Sequence, residues 1–190
     1  MGLRSWVTEL FAAGDGSDDG GAETEGELDL TVDVSRRAAT ITDHYGLAAD
    51  DAQRLAEVLD AELTREDGYA RTMIVDRVTR DLDVDADLAR TIVDTEVASV
   101  RNLARVRRFR AQSDGDVRFR WVDSVGTDDS PVCADVRATI DEGGPVTLEE
   151  LREAIRAAAR DHEAGTPERA EDLIPHESCR HTVVRHLEAE

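Results

Sequence analysis

The sequence predicts an α+β fold, with a mainly α-helical N-terminal part and a small C-terminal module containing a short antiparallel sheet. Three observations predict it. From residue 35 to 112, apolar residues recur at three- and four-residue spacing, the period of helices with one buried face. After Ser113-Asp114-Gly115 the period changes to two, with Val117, Phe119 and Trp121 alternating with Arg118, Arg120 and Val122. A second short apolar run, His181 to Leu187, closes the chain, and it is expected to pair with 117–122.

Taken in order, the chain divides into four parts. In 1–13, Leu3, Trp6, Val7, Leu10 and Phe11 fall on one stripe of a short amphipathic helix, read either as a peptide that docks in a partner's groove or as a helix folded back on its own domain. In 14–34, a glycine-rich acidic linker (14–27) precedes Leu28, Leu30, Val32 and Val34. These alternate with polar residues and predict a lone strand that must pair with another sheet. The helical domain, 35–112, begins with Ser35 as an N-cap and a first helix ended by Gly46. A second helix carries Ala52, Leu55, Ala56, Leu59 and Leu63, and a third, after Gly68, carries Ala70, Met73, Ile74 and Val78. The fourth spans about 85–112, with Asp85 or Asp87 near its start and Leu88, Ile92, Val100 and Leu103 on one face. The C-terminal module, 113–190, contains a capping box at Thr147 and Glu150 that starts a helix of about 148–163, ended by Gly165.

Composition narrows the function classes. The chain of 190 residues has 43 Asp and Glu against 23 basic residues, a net charge of -20, and every basic residue is Arg. Such excess carboxylate repels itself at low ionic strength, while molar salt screens it within a few ångströms, so the acidity reads as adaptation to a very salty cytosol. No apolar run approaches the ~20 residues of a membrane span and no secretory signal is visible, so a soluble protein made in the cytoplasm, with no membrane role, is expected. No P-loop, dinucleotide fingerprint or nucleophile–base–orienter set is present, and enzyme is the least supported class.

Two stretches resemble the phage Mu F-like minor head, or head morphogenesis, family. The first is Thr95-Glu96-Val97-Ala98 with Asn102 and Ala104, similar to a family helix ending in a TEVA-like run with a following Asn. The second is Arg120-Trp121, then Asp128-Asp129-Ser130-Pro131-Val132-Cys133, then Pro175-His176-Glu177-Ser178-Cys179-Arg180-His181. It resembles a tryptophan, an acidic turn, a C-x-x-C and a closing PPxHPxCRC-like run in the same order. The resemblance covers about 85–185. The sequence departs from the pattern where Val136 stands for the second cysteine of C-x-x-C, His181 for the final cysteine, and Asp94 for the arginine before Thr-Glu. The helix at 148–163 also fills a region that is often shorter.

Within that motif, Cys133, His176, Cys179 and His181 form a Cys2His2 set that could hold a structural zinc ion. A Cys133–Cys179 disulfide and a packed thiol with turn-fixing imidazoles are the other two readings. Glu96 lies on or beside the apolar face of its helix, so a buried partner is expected, most simply an Arg of a neighbouring helix. His44, His162 and His186 are read as surface residues. Arginines at 101, 105, 107, 108, 110, 118 and 120 run against the acidic trend and offer either a DNA-facing patch or a solvated face paired with carboxylates.

The resemblance implies a minor structural protein of the head of a tailed virus of a salt-loving archaeon. Such a protein would assemble in the host cytoplasm, in several copies within a symmetric particle. Its partners would be the portal or the major capsid protein, and it would serve head assembly or DNA packaging and delivery. The alternative is a small zinc-binding module that holds nucleic acid through Arg101, Arg105, Arg107, Arg108 and Arg110.

Overall fold

The computed structural model describes residues 28–82, 84–113, 115–122, 130–162 and 169–186. Among them are six α-helices and one two-stranded antiparallel sheet. The expected docking helix 1–13, the linker 14–27 and Gly165 lie outside these residues.

Four helices make the N-terminal part: α1 (Val34–Tyr45), α2 (Ala49–Leu63), α3 (Arg71–Leu82) and α4 (Ala86–Ala111). Helix α1 is capped by Asp33, whose carboxylate accepts from the Arg36 N–H, so Ser35 lies inside the helix and is not its cap. Gly46 closes it at φ 67°, where a side chain would be strained. Asp85 caps α4 as expected, accepting from the N–H groups of Asp87 and Leu88. The predicted core stripe of α2 is buried in full, but Met73 of α3 and Leu88 of α4 face outward.

Residues 28–33 form no strand. Leu30 and Val32 are buried and Asp29 and Thr31 are exposed, so the alternation marks a buried face correctly. The backbone finds its partners elsewhere: the Asp60 carboxylate accepts from the Val32 N–H at 2.9 Å, and Arg107 donates to the Asp29 carbonyl at 2.9 Å. Val34 already belongs to α1. Side chains here do what a neighbouring strand would have done.

The C-terminal part has β1 (Phe119–Val122), α5 (Pro131–Gly143), α6 (Leu148–Asp161), a 3-10 turn at Ala170–Asp172 and β2 (Thr182–Arg185). The two strands pair as expected, with Trp121 opposite Val183 and Phe119 opposite Arg185. The capping box is formed in both directions, at 2.7 and 3.2 Å. Helix α5, which the sequence reading does not anticipate, begins with Pro131 in its first turn and buries Val132, Cys133, Val136 and Ile140.

Two apolar cores result, one among α1–α4 and one among β1, β2, α5 and α6, and α4 contributes to both. Every residue from Ile92 to Val100 is buried, so α4 is a central spine and not a surface helix. The segment 169–183 crosses that spine and ends in β2. The outer edge of β2 is closed by one side chain: Asn102 Oδ1 accepts from the Val183 N–H at 3.1 Å, and its Nδ2 donates to the His181 carbonyl at 3.1 Å. An adjacent antiparallel strand would supply the same two bonds.

Asn102→Ala leaves a buried N–H and a buried C=O without that partner and is expected to cost about 2–4 kcal/mol. The measurement is the denaturant midpoint of the full chain; a loss below about 0.5 kcal/mol would show that water or another group closes the edge equally well.

Candidate metal centre and the buried charges beside it

Cys133 lies in the first turn of α5, and Cys179 in the irregular segment just before β2. The two sulfurs are 3.6 Å apart; both residues are buried, and neither is in a disulfide. His181 brings Nδ1 to 3.7 Å from the Cys179 sulfur, and its ring stacks on Trp121 at 5.6 Å with the planes 6° apart. The three ligand atoms of Cys133, Cys179 and His181 lie within 4.8 Å of one another, and this buried group could hold a metal ion.

His176 adds a fourth group. Its Nε2 is 3.0 Å from the Cys133 sulfur, and its Nδ1 is 2.7 Å from the Glu177 carbonyl. A carbonyl can only accept, so Nδ1 carries the proton and the remaining nitrogen faces sulfur. A backbone oxygen that fixes the tautomer in this way is the usual support of a histidine ligand. All four residues of the predicted set therefore meet, three as a mutual cluster and His176 through Cys133.

The electrostatics favour the ligand form of the sulfur. The Cys133 thiol bonded to Cys179 lowers the latter's pKa well below the usual thiol value; burial opposes this, and His176 and His181 reinforce it. Burial pushes the His176 imidazole down, but its contact with Cys179 outweighs that and raises its pKa. These shifts favour the thiolate of Cys179, while the His176 imidazolium they also favour would have to release its Nε2 proton before that nitrogen could ligate a metal.

The motif residues of α4 hold this corner in place. Thr95 Oγ1 accepts from the Ser178 N–H at 2.8 Å, Asp94 accepts from Arg180 at 3.2 Å and from Arg71 of α3 at 3.4 Å, and Arg105 reaches Thr182 Oγ1 at 3.4 Å. Val136 is fully buried one turn beyond Cys133 and packs in the second core. No sulfur is available there, so the histidines carry the nitrogen share of the site.

Glu96 has no solvent exposure. Arg37 of α1 donates to it at 2.7 Å, and Arg169 donates with both ends of its fork, at 2.5 and 3.0 Å. Asp172 balances the second guanidinium, accepting from Arg169 at 2.9 Å and lying 3.6 Å from Arg37. Arg37, Arg169, Glu96 and Asp172 are the buried members of the set, and exposed Arg36 lies 3.8 Å from Asp172 at its edge. The expected helix-borne arginine is Arg37; Arg169, from the loop before the 3-10 turn, is a partner the sequence reading missed.

The remaining candidates are dispersed. At 100° per residue, Arg101, Arg105 and Arg108 share one face of α4 while Arg107 and Arg110 lie on the other, so the five form no single patch. Arg105 is buried, and Arg118 and Arg120 lie beside Glu150 and Asp141. His44 corrects the surface expectation: its side chain is 3% exposed and packs edge-on to Tyr45, and burial, with Arg169 nearby, lowers its pKa. His162 meets Asp135 at 2.6 Å, and His186 accepts from Arg120 at 3.3 Å.

Glu96→Leu alone strands two buried guanidiniums and is expected to cost about 3–5 kcal/mol. Glu96→Leu with Arg169→Met leaves Arg37 and Asp172 as a neutral pair and should recover about 2 kcal/mol of that loss in a double-mutant cycle read by chemical denaturation. Strict additivity of the two changes would show that the fork contact carries no coupling.

No protein family, curated protein or solved structure matches the chain.

Proposed function

We propose that the chain is a minor structural protein of the head of a tailed virus of a salt-loving archaeon, docked on a portal or capsid neighbour, with a C-terminal module stapled by zinc. The observation that carries the reading is the convergence of the two stretches that resemble the Mu F-like family. Thr95 and Asn102 of the first bond directly to Ser178 and His181 of the second, and Cys133 lies against Cys179. The residues that carry the likeness thus form one structural unit.

Zinc fits the donor set. With Zn–S of ~2.3 Å, a tetrahedral site has S···S edges of ~3.8 Å and slightly shorter S···N edges. The 3.6 Å and 3.7 Å separations match those edges. The 3.0 Å contact of His176 with Cys133 is a hydrogen bond, and His176 lies outside the mutual cluster of the other three, so its imidazole would have to turn inward to become the fourth donor. Four protein donors leave no position for substrate, so the ion would be structural. It would join α5 to the segment before β2, where a two-stranded sheet has little stability of its own.

The nucleic-acid alternative draws no support from the α4 arginines, which are divided between opposite faces of the helix. No helix among the described residues is long and apolar enough to cross a membrane.

Two outcomes test the proposal. Full-length protein purified with zinc present should carry about one ion per chain, and Cys133→Ser should lose it with a fall in melting temperature; a metal-free, equally stable wild type would remove the staple. In particles of the producing virus, mass spectrometry should find the chain in procapsids at low copy. Trp6→Asp with Leu10→Asp should cut its incorporation at least about tenfold by removing the apolar stripe. A chain absent from procapsids and virions alike would overturn the head assignment.

A further inference from the structure

We propose that Cys133 and Cys179 are also a modification site: a dithiol that a peroxide converts to an intrachain disulfide, expelling the metal and leaving the same two segments covalently joined. The inference rests on the metal reading for the expulsion step only; the disulfide itself derives from the placement of the two sulfurs.

The geometry favours this outcome over others. The sulfurs are already in contact at 3.6 Å, and the chain holds no other thiol. Cys133 is held in the first turn of α5 and Cys179 in the irregular segment that Thr95 anchors at the Ser178 N–H, so side-chain rotation is what would close the remaining distance. Both side chains are buried, so a thiol of another protein is excluded and only a small oxidant can enter. Half-buried His176 is the most exposed member of the cluster.

The chemistry balances. One sulfur attacks a peroxide oxygen; an S–O bond forms, the O–O bond breaks, and the departing oxygen leaves as water after taking a proton. The second sulfur attacks the resulting sulfenic acid; the S–S bond forms, the S–O bond breaks, and a second water leaves with the remaining thiol proton. Two thiols are oxidised and one peroxide is reduced to two waters. Thiolates bound to zinc are less available for the first step, so the metal protects the pair until it is lost. The linkage between α5 and the 169–183 segment is therefore kept under both reducing and oxidising conditions, by different bonds.

The test uses the full chain, zinc-loaded and metal-stripped, treated with graded hydrogen peroxide. Expected in the loaded protein is release of one zinc, read by a chromophoric chelator, for each pair of thiols lost, with a monomer about 2 Da lighter that dithiol reductant restores. The stripped protein should reach the same product at least about tenfold faster. Cys133→Ser should give only oxygen adducts on Cys179, about 16 or 32 Da heavier. Intermolecular dimers, or wild-type chains that gain oxygen without forming the lighter monomer, would overturn the inference. If the chain binds no zinc yet still forms the lighter monomer, the staple of the proposed function falls and the modification site stands.

Discussion

A carboxylate fully shut off from water sets the terms for the rest of the molecule. Glu96 sits in the middle of a helix buried on every side, where an unpaired charge would cost several kcal/mol. One guanidinium comes from α1 and the other from the loop at 169, so the charge is neutralised only when α1 and the 169–172 turn meet beside α4. The two apolar cores could each form around other partners. The ion cluster specifies this arrangement, because any slip of α1 or of the 169–172 turn leaves the fully buried Glu96 short of a partner.

Fixing Arg169 also fixes the path of the chain beyond it. From there the backbone crosses α4 by a series of polar contacts, Thr95 to Ser178, Asp94 to Arg180 and Asn102 to His181 and Val183, and arrives as β2 in register with β1. The sulfur–imidazole corner is the other end of the same path. Cys179 can meet Cys133 only if the crossing is complete, and a bond at that corner would in turn hold the crossing in place. The polar face of α4 and the cysteine corner thus act on one segment from two sides. This explains why buried polar residues occupy the middle of α4.

The parts of this arrangement that rest on local periodicity were legible in the sequence. The stripe of α2, the caps at Gly46 and Asp85, the Thr147–Glu150 box and the pairing of the two strands all derive from residue spacing within one element. Helix α5 was missed because its start was read only as the acidic turn and C-x-x-C of the resemblance, although Ser130-Pro131 followed by Val132, Cys133, Val136 and Ile140 is a helix start with one buried face. The 28–34 segment erred the other way: alternation reports a buried face but not what satisfies the backbone, and here Asp60 and Arg107 do so. The need of Glu96 for a partner could be deduced from its position on the helix. Arg169, far along the chain in a loop of no periodicity, could not. The same limit applies to the cysteine corner, whose members were found only through the family resemblance and not from spacing.

The all-arginine basic complement answers these internal demands. A single ammonium is a point charge with three donors, whereas the Arg169 guanidinium bonds both oxygens of Glu96 and still reaches Asp172. Arg37 and Arg105 are likewise buried and engaged, and Arg71 and Arg180 are drawn to Asp94. Arg37, Arg105 and Arg169 thus serve internal structure, while the 43 acidic residues dominate the chain's charge. In molar salt such a surface exerts little force beyond a few ångströms. A neighbour in an assembled particle would then have to recognise this chain by shape and apolar contact more than by charge. That places the weight of the proposed docking on the Leu3–Phe11 stripe and not on the arginines of α4.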